Sequence, residues 1–188
     1  MQAAEVPLVL EHAVVAAEDE RFYAHHGLDT IGTARAILND LIRLCACEGG
    51  STLTQQLAKL VYYPADGRIA RKLPGVAVAL KIELRYSKAQ IMADYLSVVP
   101  TGYGLVGARA ASCAYFGHDL SALSVAEAAE LAGMVQGPSV YDPRYNPERA
   151  RARRDYVIHR MLEVGYVTEE EARTAKTAPV LTPGGCSS

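Results

Sequence analysis

The chain of 188 residues is 50% hydrophobic and 21% charged, the balance of one globular domain and not of a disordered tail. Nineteen Lys plus Arg against 21 Asp plus Glu leave a formal net charge of -2, which excludes a global basic field for nucleic acid and leaves any polyanion to a local cluster. Two Phe and no Trp against eleven Tyr further weaken a base-stacking role.

No apolar stretch approaches the roughly 18 residues that span a bilayer. The first segment carries Glu5 and Glu11 where a secretory leader is basic and then apolar, so neither a span nor an export signal is expected in the sequence as it stands. Cys45, Cys47, Cys113 and Cys186 form no Cys-x-x-Cys pair or zinc-like spacing and are expected to be free thiols. Apolar residues recur at three and four, almost never at two, so an all-α fold is expected, with no repeat or linker dividing it.

In chain order, the first distinctive segment is Glu18-Asp19-Glu20-Arg21-Phe22-Tyr23-Ala24-His25-His26-Gly27. A carboxylate beside aromatics and histidines can have its proton affinity tuned by partial burial, which a general base requires. The plain alternative is a solvated helix end. Ile31, Ala34, Ile37, Leu38, Leu41 and Ile42 then trace a helical stripe.

Gly49-Gly50-Ser51-Thr52 precedes a second stripe of Leu53, Leu57, Leu60 and Val61, and Thr52 with Gln55 forms a capping box. The glycines let backbone approach a ligand, Ser51 and Thr52 offer hydroxyls at a helix start, and Gln56 and Lys59 share a face. This is either a phosphate cradle or a capped helix with a polar face. It is not a Walker loop, because no Gly-Lys-Ser/Thr follows. Arg71 and Lys72 add to Lys59 a set of cations able to neutralise a diphosphate, or else form a solvated basic face.

Ser87 with Gln90 caps a further helix, and the glycine-rich run Val98-Val99-Pro100-Thr101-Gly102-Tyr103-Gly104-Leu105-Val106 reads as a loop. Ser124 with Glu127 caps the stripe Val125, Ala128, Ala129, Leu131, Ala132 and Val135, which Gly137-Pro138 ends. Asn146-Pro147 opens a helix through Val157, Ile158, Met161 and Leu162 that stops at Gly165, and Thr168 with Glu171 caps the last one.

Taken together, EDERFYAHHG, GGSTLTQQLAK, RK with LKIELRYSKAQI, and YFGHDLSALSVAEAAELAGMVQGPSVYDPRYNPERARARRDYVIHRM resemble the peptidoglycan glycosyltransferase domain of class A penicillin-binding proteins and monofunctional transglycosylases. The similarity runs from about Pro7 to Lys176 within a single domain spanning 1–188, and nothing resembles the Ser-x-x-Lys signature of a transpeptidase. The resemblance implies a lysozyme-like helical fold with a larger lobe and a smaller, membrane-facing jaw. It implies polymerisation of lipid II with inversion at the anomeric carbon and loss of undecaprenyl pyrophosphate, at the extracytoplasmic face of the bacterial cytoplasmic membrane. Glu18 matches the base; Ser51, Thr52, Gln56, Lys59, Arg71 and Lys72 match substrate-binding positions, with Mg²⁺ or another divalent cation assisting. Asp19, Phe22, His25 and Gly27 match supporting positions, and the stretch from Ile31 to Leu44 falls where the jaw meets lipid. Lipid II, the growing glycan strand, the membrane surface and other cell-wall synthesis proteins are the implied partners, and nucleic acid is not.

One departure bears on activity. The family's third motif reads Arg-Lys-x-x-Glu, whereas this chain has Arg71-Lys72-Leu73-Pro74-Gly75, without the second acidic residue. Pro74 and Gly75 are also expected to kink that helix or delay its start. Glu83 lies eight residues further along, about 12 Å of helical rise, too far to substitute. Ser97 stands where Asn is usual. Three readings follow: an active polymerase working through Glu18, a homologue that binds lipid II without turnover, and a lytic enzyme, which the cationic cluster disfavours.

Overall fold

The computed structural model describes residues 1–34, 50–62 and 72–180, with 72–74 described at the level of the backbone. Eight α-helices are described: α1 Leu8–Glu18, α2 Leu53–Tyr62, α3 Lys72–Glu83, α4 Lys88–Val98, α5 Ala108–Phe116, α6 Val125–Val135, α7 Pro147–Glu163 and α8 Glu169–Thr177. Short 3₁₀ turns lie at Ala3–Glu5, Phe22–Ala24 and Leu120–Ala122. Among the described residues no strand forms, and one antiparallel bridge pairs Pro100 with Val106 across the glycine-rich loop. The protein is all-α, as the periodicity predicts.

Side chains at the predicted positions set the helix starts. Thr52 and Gln55 exchange backbone amides reciprocally, at 3.1 and 3.2 Å, and Ser124 with Glu127 and Thr168 with Glu171 do the same. Ser87 accepts the Gln90 amide, but the Gln90 side chain turns to Asp94, so that box is one-sided. Gly165, at φ +80°, ends α7 in the left-handed conformation.

The delayed start expected at Pro74 and Gly75 does not occur. α3 begins at Lys72 and runs through both residues. Pro74 lies in the first turn, where its missing N–H would have had no intrahelical acceptor, so it removes no hydrogen bond.

α6 organises the larger packing unit. Its small side chains, with Ala126, Ala128, Ala129, Ala132 and Gly133 buried, let α1 and α7 close on it, and α8 closes the far side. α2 packs against α3 and α4. The buried Arg154 of α7 ties the chain after α8 back to it, donating to the carbonyls of Lys176 (3.1 Å), Ala178 (2.8 Å) and Pro179 (3.3 Å). Cys113 on α5 is disulfide-bonded, which corrects the expectation of a free thiol there. Pairing of this kind depends on tertiary proximity and not on local spacing. Cys45, Cys47 and Cys186, and most of the 31–44 stripe, lie outside the described residues. Among the described residues no helix is long and apolar enough to cross a membrane.

Candidate active site

α1 ends at Glu18, and side chains of α2 and α7 reach its carboxylate, with α4 and α6 behind them. Gln56 of α2 donates through Nε2 to Glu18 Oε2 at 3.0 Å. The buried Tyr95 of α4 donates through its hydroxyl to Gln56 Oε1 at 2.9 Å, which fixes the orientation of the amide. Arg153 of α7 brings Nη2 to 3.5 Å from Glu18 Oε1. A Cβ at Gly133 of α6 would lie 3.0 Å from the Arg153 Cγ, so glycine there leaves the stem of the arginine its path towards Glu18.

Glu18 is mostly enclosed, with 11% of its side chain accessible, and its Oε1 accepts no hydrogen bond. Burial pushes its proton affinity above the ordinary carboxylate value. The Gln56 amide and the Arg153 guanidinium oppose that rise, and the neighbouring Asp19 adds to it. A carboxylate so placed can accept a proton from a neutral hydroxyl more readily than a solvated one.

Asp19 serves a different purpose. Its carboxylate accepts from His25 Nε2, 3.0 Å from each oxygen, and from the Leu53 amide at 2.9 Å in the first turn of α2. Burial raises its pKa, against the pull of those two donors and of Lys88. Asp19 and His25 therefore hold the end of α1 against the start of α2, which presents Gln56 to Glu18. Phe22 is fully buried, with the Lys88 ammonium 4.3 Å from its ring centroid. Gly27 has φ +89°, and a Cβ there would meet the backbone of Ala79 on α3 at 3.3 Å.

The remaining predicted residues separate into groups. Thr52 is buried and donates to the Gly27 carbonyl at 2.8 Å, so its hydroxyl is engaged with the protein's own backbone. Ser51 and Lys59 are exposed, and Lys59 stands one turn beyond Gln56 on α2, on the same face. Arg71 and the side chain of Lys72 lie outside the described residues. Gly75 lies within α3, and a Cβ built there meets nothing within 4 Å among the described residues. Glu83 is at the opposite end of that helix, accepting from Thr54 and, at 2.7 Å, from Lys88. Arg153, Tyr95 and Gly133 were not singled out by sequence. The only local signal was Arg153's place in a basic run, which reads equally as a solvated face.

Among the described residues no group of three or more His, Cys, Asp or Glu is placed to hold a metal ion. Asp19 is committed to His25 and Leu53, Glu83 to Lys88 and Thr54, and Glu18 faces a guanidinium. These carboxylates do not fit the expected divalent cation, which prefers several free oxygen ligands.

Residues 1–162 match the transglycosylase family, and the chain belongs to that family. Penicillin-binding protein 1F of Bacillus subtilis is 39% identical over 172 residues, covering 92% of this chain and 24% of that protein. Penicillin-binding protein 1A of Vibrio cholerae is 40% identical over 177 residues, covering 94% and 22%. The crystal structure of penicillin-binding protein 1A from Haemophilus influenzae is 27% identical, with a TM-score of 0.47 over 71% of this chain and 17% of that one. The chain spans about a quarter of the length of the curated relatives it matches.

Proposed function

We propose that this chain is a peptidoglycan glycosyltransferase that extends glycan strands from lipid II. The observation that carries the reading is the Glu18 carboxylate, enclosed at the meeting point of α1, α2 and α7 with one oxygen free of any hydrogen bond. Membership of the transglycosylase family and the similarity to penicillin-binding proteins support the choice of reaction.

In this reading, the 4-hydroxyl of the acceptor sugar gives its proton to Glu18 as its oxygen bonds to the anomeric carbon of the growing strand. The bond from that carbon to the diphosphate breaks, undecaprenyl pyrophosphate leaves with the electron pair, and the configuration inverts. No covalent enzyme intermediate is needed. Lys59, Arg71, Lys72 and Ser51 meet the charge on the departing diphosphate. Gln56 is assigned to orienting Glu18, since its amide is already bonded at both ends. No step passes through a divalent cation. The work takes place at the extracytoplasmic membrane surface, the only place the lipid-linked substrate and the growing wall meet.

A second reading, binding of lipid II with little turnover, is favoured by Gly75. The family's second glutamate is absent there, and among the described residues nothing lies within 4 Å of its Cβ position, so the transition state loses the contribution of that carboxylate. Incubation with lipid II and Mg²⁺ separates the two. Polymer on a gel that disappears in Glu18→Gln supports the first reading, and tight binding without polymer supports the second.

A further inference from the structure

Glu83 and Lys88 form an enclosed ion pair against the turn that follows Glu18. Lys88 Nζ lies 2.7 Å from Glu83 Oε1, and the two side chains are 18% and 5% accessible. The same carboxylate oxygen accepts from the hydroxyl of the fully buried Thr54 on α2. One residue earlier, the Leu53 amide donates to Asp19. Consecutive residues of α2 thus hold two enclosed carboxylates, and one ammonium serves both: it is bonded to Glu83, and its charge acts on Asp19. That ammonium also lies 4.3 Å from the ring centroid of Phe22, whose backbone amide donates to the Asp19 carbonyl at 2.9 Å. A Cβ at Gly27 would come within 3.3 Å of Glu83 Cγ, so the turn from Asp19 to Gly27 closes directly on the pair.

Packing alone does not call for charges here. Lys88 is the first residue of α4, where the helix dipole disfavours a cation. Desolvating an ion pair offsets most of its attraction, so apolar side chains of similar volume would join these helices as well. What they would not supply is a positive charge near Asp19. Among the described residues no lysine or arginine pairs directly with that carboxylate, whose one ion-pair partner is His25. Burial pushes the Asp19 pKa up, and the Leu53 amide, His25 and Lys88 oppose the rise.

Resting on the glycosyl-transfer reading above, we infer that Lys88, anchored by Glu83 and Thr54, is a positioning residue that keeps the negative charge on Asp19, and that this charge makes the adjacent Glu18 a better proton acceptor. Glu18 is raised first by burial, with Gln56 and Arg153 opposing the rise and Asp19 adding to it. Tyr95, which also feels the Glu18 charge, stays protonated as a donor. Removing the Lys88 charge lets Asp19 take up its proton at higher pH, and a neutral Asp19 no longer raises Glu18. Loss of a cation therefore lowers the proton affinity of Glu18, whereas the same loss acting by direct attraction would raise it. That reversed sign marks a relay through Asp19.

The test follows the side-chain carboxyl carbons of Asp19 and Glu18 by NMR as pH is varied, in the ¹³C-labelled parent chain, Lys88→Met and Lys88→Arg. In Lys88→Met the Asp19 titration is expected to move up by about one pH unit and that of Glu18 to move down, while Lys88→Arg keeps both near the parent values. The double variant Glu83→Gln with Lys88→Met leaves no unpaired carboxylate at α3, so it gives the same two shifts even where Lys88→Met alone fails to fold. With lipid II as substrate, kcat falls roughly three- to tenfold in Lys88→Met and KM changes little. An Asp19 titration that does not move, a Glu18 titration that moves up, shifts of the same size in Lys88→Arg, or an unchanged kcat would overturn the inference. Absence of lipid II turnover by the parent chain counts against the proposed function alone, because the carboxyl titrations need no substrate.

Discussion

Tyr95 donates to Gln56 Oε1 at 2.9 Å, and that bond settles which end of the amide faces Glu18. The phenol is fully buried and its pKa lies well above the ordinary value, through burial and then through the nearby Glu18 charge, so it stays protonated as a donor. Tyr95→Phe frees the amide to rotate. The expected result is a loss of about 1 kcal/mol in denaturant unfolding and a three- to tenfold fall in turnover. Equal loss of binding and no loss of turnover would show that the amide needs no such guide.

The acid limb of the rate profile is expected above the ordinary carboxylate value of 4.5, because burial raises the Glu18 pKa and only the ionised form accepts the proton. Activity is therefore lost as pH falls through that raised value. Arg153→Met removes a cation that favours the charged form and should move the limb to still higher pH. A limb at or below 4.5 in the parent, or one that moves down in the variant, would contradict this assignment.

Gly75→Glu tests the missing carboxylate directly. The position is helical, and among the described residues a Cβ there meets nothing within 4 Å, so the first carbon of the new side chain is accommodated. Replacing Gly by Glu in a helix also favours folding by roughly 0.5–1 kcal/mol. Turnover of lipid II is expected to rise at least several-fold, with Tm unchanged or higher. A rate that stays flat while Tm rises would show that this protein does without the second acid.

Much of this was readable from sequence wherever the determinant was local. Thr52, Ser124 and Thr168 start helices through contacts three residues away, and Gly165 ends one through its own backbone. Glu18 was singled out because the residues around it form a recognisable string. Arg153 was not, because nothing in Arg151-Ala152-Arg153-Arg154 distinguishes the guanidinium that turns towards α1 from the exposed Arg151 or from Arg154, buried against the chain's own carbonyls. The disulfide at Cys113 and the engagement of Thr52 with Gly27 were hidden for the same reason: both depend on which segments meet in space. At Pro74 the expected delay was wrong for a positional reason, since the same residue breaks a helix interior and is tolerated in a first turn.

Glu130 gives a prediction on stability. It is buried on α6, and burial pushes its pKa up to about 8 although Arg154 opposes the rise. Between 4.5 and that value the folded chain keeps a proton that the unfolded chain releases, so this group lowers stability as pH rises through the window. Glu130→Gln is expected to raise Tm at pH 8 by about 2–5 °C, with the gain shrinking towards pH 4.5. A gain that is constant with pH would place the effect in packing instead.

The most direct measurement is the release of undecaprenyl pyrophosphate from lipid II, followed side by side for the parent chain and Glu18→Gln. The account predicts steady release by the parent and a loss of at least a hundredfold in the variant, with lipid II still bound by both. Equal rates in the two proteins would contradict the role given to Glu18.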